Sequence, residues 1–187
     1  MLTRIPAIAM ASALGILLSA PLAVADTSTS AVRTDAQEKI GDRLDLFERD
    51  AVSMRTGLDR YVASMRNPNA SASLHAYSLN STKDQLNSLG RQLDVLEELS
   101  PQGTTLQQAA IREARPHLEA VADQLDLAIG MHNDDRRNVR SPEFREAVNE
   151  MHQRSDDLYS KVDAITDYEK ARNQANEARV ATLPDGV

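Results

Sequence analysis

The sequence contains no cysteine. This excludes disulfide bonds, thiolate metal ligands, haem attachment through a Cys-x-x-Cys-His motif and a lipid anchor on cysteine. Small exported domains often rely on disulfides, so a fold without them must be held together by packing. If residues 1–25 are cleaved as a secretory signal peptide, about 160 residues are left, enough for one domain with its own hydrophobic core.

Aromatic residues are scarce, and basic residues are outnumbered by acidic ones. Aromatic residues make up 3% of the chain, with no tryptophan, which argues against stacking platforms for single-stranded nucleic acids. Lys and Arg number 21 against 28 Asp and Glu, a formal net charge of −7. Loss of Arg4 with the N-terminal segment would leave 20 against 28, a net charge near −8. Such a surface repels nucleic-acid phosphates and anionic lipids, so we expect neither as a partner.

Known catalytic motifs are also missing. The sequence has no glycine-rich phosphate loop, no Gly-x-Ser-x-Gly, no His-Glu-x-x-His and no pair of the Glu-x-x-His motifs that di-iron bundles use. The many acidic residues mostly fall between the apolar positions, where they are typical of solvated helix faces. The sequence therefore predicts a protein that is not an enzyme.

A long apolar run occurs only at the N-terminus. It extends from Ile5 to Leu18, and Pro21 and Ala23-Val24-Ala25 follow. Residues 1–25 have the features of a secretory signal peptide cleaved after Ala25, which predicts a periplasmic or secreted protein that is soluble after cleavage. The alternative is an uncleaved helix over Ile5 to Ala25, just long enough to hold a sensory bundle at the membrane.

The rest of the chain has a helical pattern. Apolar residues recur at alternating steps of four and three in four stretches, each of which predicts one buried face of a long helix. The four seams are Ile40, Leu44, Phe47, Ala51, Met54, Leu58, Tyr61 and Met65; Ala72, His75, Leu79, Thr82, Leu86, Leu89, Leu93 and Leu96; Ile111, Ala114, Leu118, Val121, Leu125, Ala128 and His132, widened by Leu127 and Ile129; and Phe144, Val148, Met151, Ser155, Leu158, Val162 and Ile165.

Capping and turn signals divide these stretches into helices over about 35–66, 71–99, 104–138 and 142–180. Short loops between long helices favour an all-α, elongated, antiparallel up-down-up-down four-helix bundle with coiled-coil-like seams. The bundle domain spans 35–182, between a flexible polar tail over 26–34 and a C-terminal tail over 183–187. Pro116 is expected to kink the third helix, or else to separate a short helix from it.

Three of the four histidines are predicted to meet at one end of the bundle. Antiparallel alignment brings His75, His132 and His152 towards the loop after the first helix, with three methionines nearby, namely Met54, Met131 and Met151. Imidazole and thioether ligands suit copper, zinc or haem iron. The alternative is that the histidines fill space at the mouth of the bundle and the methionines fill the core, and in that case no cofactor is bound.

Two functional hypotheses follow from these patterns. The first is a non-enzymatic exported bundle that acts by protein–protein interaction, by self-association or as a structural accessory factor of the envelope. The second is a metal- or haem-binding bundle that uses the histidine and methionine side chains at one end. The sequence identifies no small ligand.

Overall fold

A computed structural model describes residues 34–67 and 69–181. These residues form helices and no strand, which confirms the predicted all-α class and the four helices of a bundle. The helices are α1 (Asp35–Ser64), α2 (Ala72–Leu99), α3 (Thr105–Asp134) and α4 (Pro142–Ala181), with short 3-10 helices over Ser100–Gln102 and Arg136–Arg140. The proposed signal peptide, nearly all of the polar N-terminal tail and the tail over 183–187 lie outside the described residues.

Side-chain caps fix the starts of the helices. Thr34 and Gln37 form a reciprocal capping box at α1, and Thr104 and Gln107 form another at α3. Ser71 accepts a hydrogen bond from the backbone N–H of Leu74 at the start of α2. Each cap satisfies backbone N–H groups that have no partner within the helix. The sequence predicts the box at α3, whereas at α1 it leaves two pairs open, Thr34 with Gln37 and Asp35 with Glu38, and the structure has the first.

Most of the core consists of the predicted seams, and Ala110, Val139 and Ala147 are buried in addition to them. In α1, all seven seam residues from Ile40 to Tyr61 are buried, while Met65, just beyond the helix, is half-buried. Each helix turns one narrow apolar stripe inward because steps of four and three keep residues on one face. The prediction fails at Leu127, which is 48% exposed. It lies about 100° around the helix from the buried Ala128, and this rotation takes it off the core face.

Each helix packs against two main neighbours. α1 contacts α2 and α4, and α3 contacts α2 and α4, whereas α1 and α3 touch little. The α3 and α4 pair makes the most extensive contact. This is the neighbour relationship of a four-helix bundle, in which two pairs of helices lie diagonally across one core. Within 34–67 and 69–181, no helix is both long and apolar enough to cross a membrane.

Two helices end earlier than the sequence predicts. α1 ends at Ser64, and α3 ends at Asp134 and is followed by a separate 3-10 helix rather than continuing to residue 138. The carboxylate of Asp135 caps that short helix by accepting from the backbone N–H of Arg137. Val139 is buried there and adds an apolar contact that closes this end of the core.

Pro116 does not divide the third helix. α3 is continuous from Thr105 to Asp134, so the alternative of a separate short helix is wrong. A proline inside a helix removes one hydrogen bond to the carbonyl four residues earlier, here that of Arg112. Both Pro116 and Arg112 are exposed, so water can hydrate the carbonyl that loses its partner.

Substitution of Thr104 tests how much the caps contribute. Its hydroxyl accepts from the backbone N–H of Gln107 and donates to Glu169 of α4 at 2.8 Å. We expect Thr104→Ala to lower the free energy of unfolding by about 1 kcal/mol or somewhat more, because a capping bond and an interhelix bond are lost together. Urea unfolding measures the change. Thr105→Ala, at the exposed adjacent residue, should stay within about 0.5 kcal/mol of the parent, and equal losses would contradict this role for the cap.

Candidate functional site

His75 occupies the centre of the predicted histidine site. It is 3% exposed, and its Nδ1 atom lies 3.2 Å from the hydroxyl oxygen of Tyr61. The ring meets Tyr61 and Phe144 edge to face, with centroids 5.7 and 5.8 Å away. α1, α2 and α4 thus each place one ring in this layer. A hydrogen bond satisfies the buried Nδ1 atom, as burial of a polar group requires.

His132 reaches the same region from the last turn of α3. Its Nε2 atom lies 3.2 Å from the backbone carbonyl oxygen of Ala72, in the first turn of α2. Since a carbonyl oxygen only accepts, Nε2 carries the proton and donates. In the neutral ring, Nδ1 then keeps its lone pair. His132 therefore ties the end of α3 to the start of α2.

His152 makes a different contact. Its Nε2 atom donates to a carboxylate oxygen of Asp59 at 2.6 Å, joining α4 to α1. Both side chains are partly solvent-accessible, at 31% for His152 and 55% for Asp59. His152 is one residue beyond the buried Met151, so it lies at the edge of the helix interface rather than on the core face.

The three methionines of the predicted site belong to the packed interior. Met54 and Met151 are fully buried in the core, and Met131 is half-buried against it. Unbranched thioether side chains fill irregular gaps in cores, and this packing role accounts for their burial.

The electrostatics favour the uncharged forms of the His75 and Tyr61 side chains. Burial, and to a lesser extent the charge of His132, lower the pKa of His75 from its ordinary value of 6.5. Burial also raises the pKa of Tyr61, so the phenol keeps its proton at neutral pH. The protonated phenol of Tyr61 can therefore donate a hydrogen bond to Nδ1 of the uncharged imidazole. This arrangement stabilises the end of the bundle as long as His75 stays neutral.

The hypothesis of a metal site at these histidines stays a prediction. Among residues 34–67 and 69–181, no three His, Asp or Glu side chains are gathered so that they could hold a metal ion. His75 and His132 are near enough for their charges to interact, while His152 is paired with Asp59. A metal or haem at this end would thus draw first on these two histidines.

Sequence reasoning missed a polar network at the opposite end. Gln107 is fully buried and donates from Nε2 to the backbone carbonyl of Gln37 at 2.8 Å. One capping box is thereby joined to the other, and Thr104 connects them to the buried Glu169. The capping pattern was visible in the sequence, but nothing local indicates that Gln107 also bridges two helices.

A second missed contact lies between α1 and α4. Thr166 is buried and donates to the carboxylate of Glu48 at 3.1 Å. Burial raises the pKa of Glu48, while Thr166 and Lys170 oppose the rise. Between residues 163 and 179, the buried positions of α4 are thus polar residues, Thr166 and Glu169, which an apolar pattern cannot reveal.

Removal of the Tyr61 hydroxyl tests how much its hydrogen bond to His75 contributes to stability. We expect Tyr61→Phe to lower the free energy of unfolding by about 1 kcal/mol, because the buried Nδ1 atom of His75 loses its hydrogen-bond partner. Tyr77→Phe removes the same hydroxyl from a side chain that is 72% exposed and should change the stability by less than about 0.5 kcal/mol. Chemical denaturation of both variants provides the comparison, and equal effects would count against the bond.

The chain matches no protein-family model, no curated protein and no solved structure. Its function is therefore inferred from its own residues.

Proposed function

We propose that this chain is a non-enzymatic, exported helical-bundle protein that acts in the bacterial periplasm by contact with another protein or with a second copy of itself. The proposal includes cleavage of residues 1–25 as a signal peptide. It also includes an up-down-up-down arrangement of the four helices. That topology is supported by contacts that pair late residues of α1 with early residues of α2 and α4, such as Tyr61 with His75 and Asp59 with His152.

The observation that carries the proposal is the length of α4. This helix has 40 residues, whereas the other three have 28 to 30. We call residues 174–181 the α4 extension; residues 174–179 and Ala181 are all exposed. Its eight residues span about 12 Å at the usual helical rise. The extension therefore presents a helical surface beyond the four-sided core.

An exposed helical end is weakly stabilised on its own. Most helical stability in proteins comes from packing one face against other elements, and short helices without such packing are marginal in water. Apart from Val180, the extension offers only small and polar side chains such as Ala175 and Ala178. Small side chains allow close approach of a second helix, and polar neighbours keep the free surface soluble. Contact with a partner helix would supply the missing packing.

Paired substitutions test this proposal. The double variant Ala175→Glu and Ala178→Glu places two bulky charges on the α4 extension. We expect it to abolish the larger species that the parent forms in sedimentation, either alone or with a partner purified from envelope extract. The matched control carries Ala63→Glu and Ala164→Glu, which make the same chemical change at exposed positions within the bundle.

The melting temperatures of both double variants should stay close to that of the parent, since all four alanines are exposed. A parent that sediments as a strict monomer and retains no envelope partner would refute the proposal. So would equal association of the parent and both double variants.

Export is tested separately. Expression of the full chain in a Gram-negative host should give a periplasmic protein whose N-terminal sequence begins at Asp26. An intact N-terminus in the membrane fraction would instead support the anchored sensory bundle, with Ile5 to Ala25 as the membrane helix.

The metal- or haem-binding function is the second candidate. The observation that favours it is the proximity of His75 and His132, together with the Nδ1 lone pair left free on His132. Addition of copper, zinc or haemin to the purified chain should then raise its melting temperature or produce a Soret band, and His132→Gln should remove the effect. An unchanged melting temperature and spectrum with all three would end this candidate.

A further inference from the structure

A groove opens between α1 and α2. Its volume is about 440 Å³, within the size range of small-molecule sites. Gly57 lies along it, and the nearest atom that an added Cβ would meet is Oε1 of Gln85 at 3.5 Å. Short side chains line most of the remaining wall, so the two helices leave open space that larger residues would have filled. Tyr61 and Thr82 are buried lining residues.

The charge of the groove is unlike that of the rest of the molecule. The chain has 28 acidic residues, yet none of the residues lining this groove is acidic, and Arg60 is the charged group among them. Arg60 is exposed, and within the described ranges it forms no ion pair. Its helical neighbours at the groove, Thr56, Gly57 and Ser64, are uncharged. A guanidinium in such a position is available to a carboxylate, which it can bind with two parallel hydrogen bonds.

Hydroxyl groups in the wall have defined roles. Those of Thr56, Ser64 and Thr82 donate to backbone carbonyls of their own helices, at 2.8, 2.7 and 3.0 Å. Because these hydroxyls already donate their protons, they can only accept hydrogen bonds from a ligand. In the part of the chain that the structure describes, the hydroxyls of Tyr77 and Ser81 make no hydrogen bond, so they can both donate and accept.

Two apolar side chains, Leu74 and Tyr77, form the solvent-exposed edge of the groove. Leu74 and Tyr77 line it and remain 38% and 72% exposed, two of the larger hydrophobic side chains on the surface of the bundle. A flat ring placed between them would lose apolar surface to water and could stack against the tyrosine. The groove thus combines one cation, several hydroxyls and one aromatic flank.

We propose that the α1–α2 groove binds a small aromatic carboxylic acid that carries a hydroxyl group. Arg60 holds the carboxylate, Tyr77 and Leu74 flank the ring, and the hydroxyls of the wall bond to the ligand hydroxyl. The absence of lining acids lets an anion enter this groove on an otherwise acidic protein. The site is independent of the proposed protein contact at the α4 extension, which lies on another helix.

Calorimetric titration of the chain from Asp26 onward with 4-hydroxybenzoate tests the proposal. We expect binding with a dissociation constant of about 1 mM or tighter, as suits a ligand of this size with one charged anchor. The neutral 4-hydroxybenzamide, which has the same shape, should bind about tenfold or more weakly because it cannot pair with the guanidinium. Inorganic sulfate should bind more weakly than 4-hydroxybenzoate, since it lacks the ring.

Three variants locate the binding. Arg60→Gln should weaken the affinity for 4-hydroxybenzoate about tenfold or more, and Gly57→Leu should block the groove. Arg49→Gln, the same charge change at an exposed arginine of α1 that does not line the groove, should bind like the parent. Far-UV circular dichroism confirms that each variant is folded.

Three results would each overturn the proposal. One is no measurable binding of 4-hydroxybenzoate up to about 10 mM. Another is equal affinity for the amide. The third is equal affinity in Arg60→Gln and the parent.

Discussion

Replacing Leu44 with alanine is expected to lower the free energy of unfolding by about 3 kcal/mol, because it removes a buried side chain and leaves a cavity in a packed core. Leu44 is 2% exposed, and it is flanked along the same seam by Ile40 and Phe47. Chemical denaturation followed by circular dichroism at 222 nm measures the loss. The midpoint should fall without a large change in the slope of the transition.

The chain contains a matched control for this substitution. Leu46 is two residues away on the same helix and is 43% exposed. Leu46→Ala makes the identical chemical change and should cost less than about 1 kcal/mol, because truncating a side chain that is 43% exposed leaves no closed cavity in the core. Equal losses at the two positions would mean that the narrow seam of α1 is not the face that packs into the core.

Acidification from pH 7 to pH 5 is expected to lower the free energy of unfolding through His75. Burial lowers the pKa of this side chain below 6.5, so the folded chain keeps it neutral while the unfolded chain takes up a proton. The unfolded state therefore binds more protons in this range, and stability falls as the pH drops below 6.5. The charge of His132 lowers the pKa of His75 in the same direction as burial.

Comparison of variants isolates the contribution of His75. Urea unfolding at pH 7 and pH 5 should show a clearly smaller pH dependence in His75→Gln than in the parent, since glutamine does not titrate. His117→Gln, the same change at the half-buried histidine of α3, should keep the pH dependence of the parent. If His75→Gln kept the full pH dependence, the buried imidazole would not be its source.

The sequence predicts most of this fold because the helices carry their own signals. Steps of four and three place residues such as Leu44 and Leu93 on one face, and capping pairs such as Thr104 with Gln107 mark where helices begin. Both kinds of information are local. Apolar periodicity also predicts burial of His75, because it continues the seam of α2 backwards from Leu79.

Contacts between helices were harder to predict. His152 could face either the layer of Tyr61, His75 and Phe144 or the side chain of Asp59. The outcome depends on how α4 is rotated about its axis relative to α1, and apolar periodicity does not fix that rotation to within one residue. To predict the hydrogen bond from Gln107 to Gln37, one needs the relative axial positions of α3 and α1, which the sequence pattern does not contain. The groove at Gly57 results from short side chains on two helices, and in sequence these are indistinguishable from a solvated face.

The protein contact proposed for the α4 extension is most directly tested by hydrogen exchange of its backbone amides. The chain from Asp26 onward is measured dilute and alone, and again at the concentration or with the partner that gives the larger species in sedimentation. Amides of residues 174–181 should exchange at least about tenfold more slowly in the larger species, while amides at core positions such as Leu58 change little. Equal exchange of the extension in both samples would contradict the account.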